Sequence, residues 1–515
     1  MNRILAPLVA ILIAKLSAGC GSLPPRDGAT VTSAFMDTEE TLLGRAVTPR
    51  VNANPGRVGI YALSEPRDAF AVRALLAAAA NKSLDVQYYM WHGDQTGYLL
   101  LEAMWQAAER GVRVRLLLDD NNTAGLDDTI AALDAHANME VRLYNPLRQR
   151  RFRALNYLTD FSRLNRRMHN KSFTADTQVT IVGGRNIGNE YFGAGSGIGF
   201  KDLDVIAVGP VVRDVARAFD RYWNSPAAYP AASIVSVAAL ASSASLTAKF
   251  QDVRASPEST AYLEALNETR VVGELSDGQL PLEWTTAQLL CDDPAKTLDT
   301  TGRTDVLLLP VLLQAGGHPE KSFDLVSPYL VPGDGGTAAI VALARRGLKV
   351  RILTNSLAST DVSAVHAGYA KRRHALLRAG VRLYELKPSA VDEASEKKGK
   401  LSGSSSASLH AKTFALDGNR LFVGSFNFDK RSALLNTEMG LLIDSPTLAA
   451  RLTDWFDTAM PMEAYEVRLA ADGRQLEWIE RTRSGEKRFD TEPGTGPLQR
   501  ASVGFLSVLP IEWML

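Results

Sequence analysis

Cysteine is almost absent from this chain: Cys20 and Cys291 are the only two in 515 residues. One pair makes one disulfide at most, so a disulfide scaffold is excluded. No CxxC, HExxH or paired-cysteine ligand set occurs, and the chemistry is expected to need neither a bound metal nor an organic cofactor. No sign of charge dominates, because 57 basic residues face 57 acidic ones for a net charge of zero. A strongly basic nucleic-acid surface is therefore not expected. Beyond the N-terminal segment no run is long and apolar enough to span a bilayer. Histidine is scarce too, at 7 residues, which makes the placement of each one informative.

Two of those histidines head the same pattern. His169, Lys171 and Asp176 lie in HNKSFTAD; His410, Lys412 and Asp417 lie in HAKTFALD. Matches continue outside the motifs. Ser83-Leu84-Asp85-Val86 resembles Ser322-Phe323-Asp324-Leu325, and Arg142-Leu143-Tyr144 repeats as Arg382-Leu383-Tyr384. Partners lie 236 to 241 residues apart, Arg110 to Arg346 being the shortest step and His169 to His410 the longest. A nearly constant offset marks an internal duplication, two diverged copies in tandem.

Each copy alternates strands with helices. Leu84–Tyr89, Val112–Leu118 and Val141–Tyr144 read as strands, with Asp119–Asn122 closing the second. Gly97–Arg110 carries apolar residues at helical spacing, ended by Gly111. Lys171–Ala175 and Thr177–Val182 form a hairpin around Asp176. The second copy repeats the order, from Phe323–Val326 and Gly336–Arg346 to Lys412–Leu416. This alternation predicts α/β layering around a mixed or parallel sheet. Domain bounds are set at 56–230 and 303–470, with 21–55 a linker, 231–302 a connector and 471–515 a C-terminal extension. Leu280–Leu290 reads as an extra strand or helix, and Val391–Ser408 as a mobile loop ahead of His410.

Histidine and lysine two apart on a strand share a face. Two such pairs brought together suit phosphoryl-type transfer through a covalent intermediate. A neutral imidazole attacks phosphorus, a second donates and then recovers a proton, and the lysines hold the growing charge on the non-bridging oxygens. Asp176 and Asp417 complete the candidate catalytic set, although their spacing suits an orienting role. Asn186 and Asn427, each 17 residues after its histidine, are candidate donors to substrate phosphate. Asp204 and Glu438, each before a hydrophobic strand, are candidates for orienting a histidine ring. Arg163, Arg166 and Arg167 either attract an anionic head group or form ion pairs. Lys371-Arg372-Arg373 reads as an exposed helical face.

These residues carry a resemblance to the phospholipase D superfamily, whose tandem HxKxxxxD motifs build one active site. The strings Leu84-Asp85-Val86-Gln87-Tyr88-Tyr89, Leu117-Leu118-Asp119-Asp120-Asn121-Asn122 and Leu435-Asn436-Thr437-Glu438-Met439-Gly440 narrow it to the bacterial cardiolipin synthases. The resemblance implies two α-β-α sandwich domains with pseudo-twofold symmetry and one shared site. It implies transfer of a phosphatidyl group from phosphatidylethanolamine to phosphatidylglycerol, with His169 the nucleophile and His410 the acid/base. It also leaves Gly184 where the second copy has Ser425. A phosphodiesterase that hydrolyses phospholipid, or less readily nucleic acid, would keep the same residues. The expected partners are phospholipids and a membrane surface, with any helper protein left open.

The N-terminus resembles a bacterial lipoprotein signal. Arg3 precedes the apolar stretch Ile4–Ala14, and Ser17-Ala18-Gly19 precede Cys20, the candidate lipidation site. Residues 1–20 are then a leader outside the fold, and the protein is held at the cell envelope facing the periplasm. An uncleaved anchor or a plain signal peptide are the alternatives.

Overall fold

The computed structural model describes residues 23–194, 201–235, 242–267, 269–276, 279–299, 301–388, 409–509 and 512. Cys20 and the loop Val391–Ser408 lie outside them, as do Pro510, Ile511 and Trp513–Leu515 of the C-terminal stretch. Among the described residues no helix is long and apolar enough to cross a membrane.

Two large mixed sheets organise the chain. The first has nine strands, with Met139–Tyr144, Arg113–Asn122 and Ser83–Met90 parallel in its centre. Ser172–Ala175, Val179–Gly183, Asp204–Val208 and Val58–Leu63 follow in antiparallel order. The second sheet has ten strands and repeats the plan. Arg382–Leu386, Lys349–Asn355 and Ser322–Val326 are parallel, and Lys412–Leu416, Arg420–Gly424 and Met439–Ile443 antiparallel. The central strands are buried on both faces, which is why they read as nearly continuous apolar runs. The strand Arg113–Asn122 runs through Asp119–Asn122 instead of ending there, its acidic end held by buried partners.

Helices cover the sheets. Pro66–Ala79 and Gln95–Glu109 pack on the outer face of the first sheet. Pro210–Trp223 starts with proline at its first turn and buries Val211, Val215, Phe219 and Tyr222 along one stripe. Its counterpart Pro446–Asp457 buries Leu448, Ala449 and Phe456. The two sheets share a core: Val58, Ile60, Val182, Val205 and Ala207 pack with Leu421, Val423, Met439, Leu441 and Ile443. Each half thus hides an apolar face against the other.

The segment read as a connector joins both sheets. Glu283–Thr285 pairs with Val58–Leu63 at the edge of the first sheet, and Ala287–Cys291 pairs with Met439–Ile443 at the edge of the second. The chain crosses from sheet to sheet at Thr286. The C-terminal extension adds Leu476–Thr482 and Gly485–Phe489 to the second sheet. Its helix Pro497–Val508 docks through Val503 on Leu357 and Ala367.

Candidate active site

The two motifs sit at matching strand ends. Ser172–Ala175 runs antiparallel to Ser83–Met90 with Ser172 opposite Gln87, so His169 and Lys171 lie toward the carboxyl end of the parallel strands. Thr413 opposite Val326 puts His410 and Lys412 at the equivalent place. Asp176 and Asp417 fall at the far ends of these strands. Asp176 accepts backbone N–H bonds from Asn81, Lys82 and Ser83 (2.7–3.0 Å for the shortest contact of each). Asp417 accepts the same three from Glu320, Lys321 and Ser322. Their inclusion in the catalytic set is therefore corrected: they tie each hairpin turn to the start of the neighbouring strand.

Each histidine is clamped by the opposite half. The His169 backbone N–H donates to the Thr437 carbonyl (2.9 Å), and that of His410 to the Lys201 carbonyl (2.9 Å). Parallel bridges Met168–Thr437 and Lys201–Leu409 flank them. The imidazoles continue the exchange. Nδ1 of His169 lies 2.8 Å from Oε2 of Glu438, and Nδ1 of His410 lies 2.6 Å from Oδ2 of Asp202. With Nδ1–H given to a carboxylate, Nε2 is the nitrogen left for chemistry.

Asp202, not Asp204, is thus the first half's orienting group. Gly183 pairs with Asp204 while Gly424 pairs with Gly440. In that register the counterpart of Glu438 stands two residues before Asp204. Asp204 instead accepts from Arg73 (2.7 Å) and lies 3.4 Å from Arg185, fully buried. The sequence did contain a cue: Asp202 and Glu438 both stand three residues before an apolar run, at Val205 and Leu441.

The lysines turn inward. Nζ of Lys171 donates to the His169 carbonyl (2.6 Å) and Nζ of Lys412 to that of His410 (2.5 Å). Burial pushes the Lys171 ammonium down to about 7, with Glu438 opposing and Lys412 adding to the fall. Burial likewise pushes Lys412 down to about 8 against Asp202 and Glu438. His169 is driven well below its ordinary value by burial and by the charges of Lys171, Lys412 and His410. Two lysines and two imidazoles from the two domains therefore lie close enough to lower one another's proton affinity, an arrangement that suits an anion.

A model of the family described as cardiolipin synthase, PLD-like domain, matches residues 72–223 and 312–460. A protein of Escherichia coli (strain K12) named cardiolipin synthase C is 47% identical over 475 residues, 92% of this chain and 99% of that protein. The chain belongs to the PLD-like cardiolipin synthase family. An uncharacterised protein of Helicobacter pylori (strain 26695) is 32% identical over 441 residues, 84% of this chain and 86% of its own. Among solved structures, phosphatidylserine synthase of Haemophilus influenzae aligns with a TM-score of 0.52 at 14% identity, covering 84% of this chain and 92% of that one. That likeness shows the fold.

Other residues singled out in the sequence of this family member have settled roles. Arg167 is buried in a fork on Asp119. Arg163 bonds Asp160 and Arg166 reaches the Lys296 carbonyl. Arg373 is no surface residue; it is buried against Glu385 and Glu492. Tyr88 supports Arg73, whereas Tyr89 stands edge-on to the His169 ring at 4.8 Å. Asn186 donates to the Tyr191 hydroxyl (3.0 Å). The Oδ1 atoms of Asn186 and Asn427 are buried without a hydrogen-bond partner among the described residues.

Sequence reasoning passed over a support built by the connector. Asp292 accepts the Glu438 backbone N–H (2.7 Å), and Lys296 bridges Asp292 (2.9 Å) to the Ser432 carbonyl (2.8 Å). Ser432 and Ser425 donate their hydroxyls to Glu438. A third group, His92, Asp94 and Glu190, brings possible metal ligands together. The Asp94 carboxylate there is already engaged by the N–H groups of Gly97 and Asn189.

Proposed function

We propose that this protein is a cardiolipin synthase that moves a phosphatidyl group from phosphatidylethanolamine to phosphatidylglycerol. The observation that carries this reading is the exchange of carboxylates, each imidazole held at Nδ1 by an acid of the other half. Nε2 of His169 attacks phosphorus, the bond from phosphorus to the head-group oxygen breaks, and His410 gives that oxygen a proton. His410 then takes the proton of a phosphatidylglycerol hydroxyl. The new oxygen attacks phosphorus, the P–N bond breaks and His169 is restored. Lys171 and Lys412 neutralise the non-bridging oxygens, and the amides of Asn186 and Asn427 donate to them. His169, the more strongly depressed imidazole, suits the nucleophile; His410, beside an ionised Asp202, suits the proton carrier.

Incubation with phosphatidylethanolamine and labelled phosphatidylglycerol tests this. Labelled cardiolipin with released ethanolamine is expected. Phosphatidic acid as the sole product would instead make the protein a hydrolase.

The same reading places the site against a membrane. Phe152, Leu155, Leu158 and Phe161 are exposed at 59%, 46%, 82% and 39% in the segment that leads to His169, with Arg148 and Arg151 exposed among them. Apolar prongs among arginines suit an anionic bilayer surface. Leu158→Asp should lower turnover on vesicles several-fold and leave a soluble short-chain donor unaffected; equal losses would remove the membrane role. Anchoring through a lipidated Cys20 at the cell envelope, facing the periplasm, is the matching location. Cys20→Ala should release the protein from the membrane fraction, and its retention there would refute the anchor.

A further inference from the structure

The two histidines differ in what surrounds them. Tyr191 stands edge-on to the His410 ring, centroids 5.1 Å apart. Tyr329 follows the strand that pairs with Lys412–Leu416, and the register of Val326 with Thr413 carries it to the level of His410. The Ser327 hydroxyl fixes the Tyr329 carbonyl (2.7 Å), and the Tyr329 hydroxyl donates to Oδ2 of Asp361 (2.8 Å). Asp361 lies just past the strand Lys349–Asn355, whose last residue Asn355 is bonded twice to Leu409, the neighbour of His410 (3.1 and 2.9 Å). Its carboxylate is exposed, and its charge is felt by Lys412, Tyr191 and Tyr329.

A carboxylate with two aromatic rings is the chemistry that receives an ammonium group. One of the rings, Tyr191, stands beside the histidine read as the acid that protonates the departing oxygen, and the Asp361 charge reaches it. In an ethanolamine phosphodiester the ammonium is two carbons beyond that oxygen. Among the described residues the matching strand end of the first half is arranged differently. Asp120, inside the carboxyl end of the strand Arg113–Asn122, is buried and paired with Arg150.

We infer that Asp361, with the rings of Tyr329 and Tyr191, forms a subsite for the ammonium of the donor's leaving head group. The inference rests on the phosphatidyltransferase reading and adds a residue that selects the donor. It also fixes direction: the leaving alcohol sits on the His410 side and the retained phosphatidyl group on His169.

Two donors with the same two-carbon head-group chain separate ammonium recognition from general damage. Phosphatidylethanolamine carries the ammonium, and phosphatidylethanol carries only hydrogen in its place. Wild-type kcat/KM should favour the first by about tenfold, the scale of one partly solvated cation contact. Asp361→Asn should abolish that preference, mainly through KM, while phosphatidylethanol turnover stays within about twofold. Tyr329→Phe should give a smaller loss of the same kind. Equal loss on both donors, or an unchanged preference, overturns the subsite. If the wild type makes no cardiolipin from either donor, the transferase reading fails on its own. The subsite is then decided by calorimetry with phosphoethanolamine and ethyl phosphate. Weaker binding of phosphoethanolamine alone in Asp361→Asn upholds it, and no change removes it.

Discussion

The two halves share a plan and differ where it touches chemistry. His169 is buried beneath Tyr89 and leans on Glu438, a long carboxylate fed by Ser425 and Ser432 and braced from below by Asp292 and Lys296. His410 leans on Asp202, one methylene shorter. Gly184 stands where the other half has Ser425, and a Cβ there would lie 2.1 Å from Oδ1 of Asp202. The first half has pulled its acid into the space where the second keeps a hydroxyl. Burial lifts Glu438 to about 7 despite Lys171 and the serines. Burial would lift Asp202 too, but His410, Lys412 and Arg185 hold it well below the usual carboxylate range. A duplicated site has thus acquired one acid that stays ionised and one that titrates near neutrality, the kind of separation that assigns different tasks to similar residues.

Removing the imidazoles breaks the comparison most severely. His169→Ala and His410→Ala should each cut turnover by about 10⁶-fold, the scale seen when a nucleophile or its proton partner is deleted. They should differ in what accumulates. With His410→Ala, rapid quenching should trap a phosphohistidine at position 169, and His169→Ala should trap none. An adduct that survives in His169→Ala and vanishes in His410→Ala would exchange the two roles.

The carboxylates sharpen it. Glu438 must be ionised to hold Nδ1–H, so kcat/KM should rise with pH through about 7. Lys171 and Lys412 must be charged, so it should fall again as pH passes their values of about 7 and 8. The profile is a narrow bell, and in kcat the alkaline limb should move up, because a bound phosphodiester keeps both ammonium groups protonated. Glu438→Gln and Asp202→Asn should each cost about 10²- to 10⁴-fold. Only Glu438→Gln should erase the acid limb from the residual activity, since Asp202 remains ionised throughout. An acid limb that persists in Glu438→Gln would assign it elsewhere.

Much of this is legible in the amino-acid sequence itself. The constant offset gave the duplication, and period-two spacing put each lysine beside its histidine. Glu438 was found because it stands alone before an apolar strand. Asp204 was mistaken for its partner because two aspartates precede the matching strand, and only ladder register separates them. Asp292 and Lys296 were invisible for a different reason: they come from an unrepeated connector, and the contact of Asp292 with Glu438 spans 146 residues. Tyr329 and Asp361 carry no motif at all. What sequence periodicity reports is the face of one strand, not which strands become neighbours.

The smallest test concerns the turns behind the site. Both hairpins turn through left-handed backbone, at Asp176 and Thr177 in the first half and at Asp417 and Gly418 in the second, with φ of 50°, 53°, 54° and 66°. Aspartate tolerates this region and glycine enters it freely, but a β-branched threonine is strained there. The Thr177 hydroxyl is also buried without a hydrogen-bond partner among the described residues. Thr177→Gly gives the first half the second half's turn. It should raise stability by about 1 kcal/mol, the left-handed penalty of a side chain less the entropy glycine adds to the unfolded chain. The readout is a higher denaturant midpoint at unchanged slope. Activity should not change, because the clamp of Asp176 on Asn81, Lys82 and Ser83 stays intact. A lower midpoint would mean that packing around the Thr177 methyl outweighs its backbone strain, and that the two turns are less alike than their dihedral angles suggest.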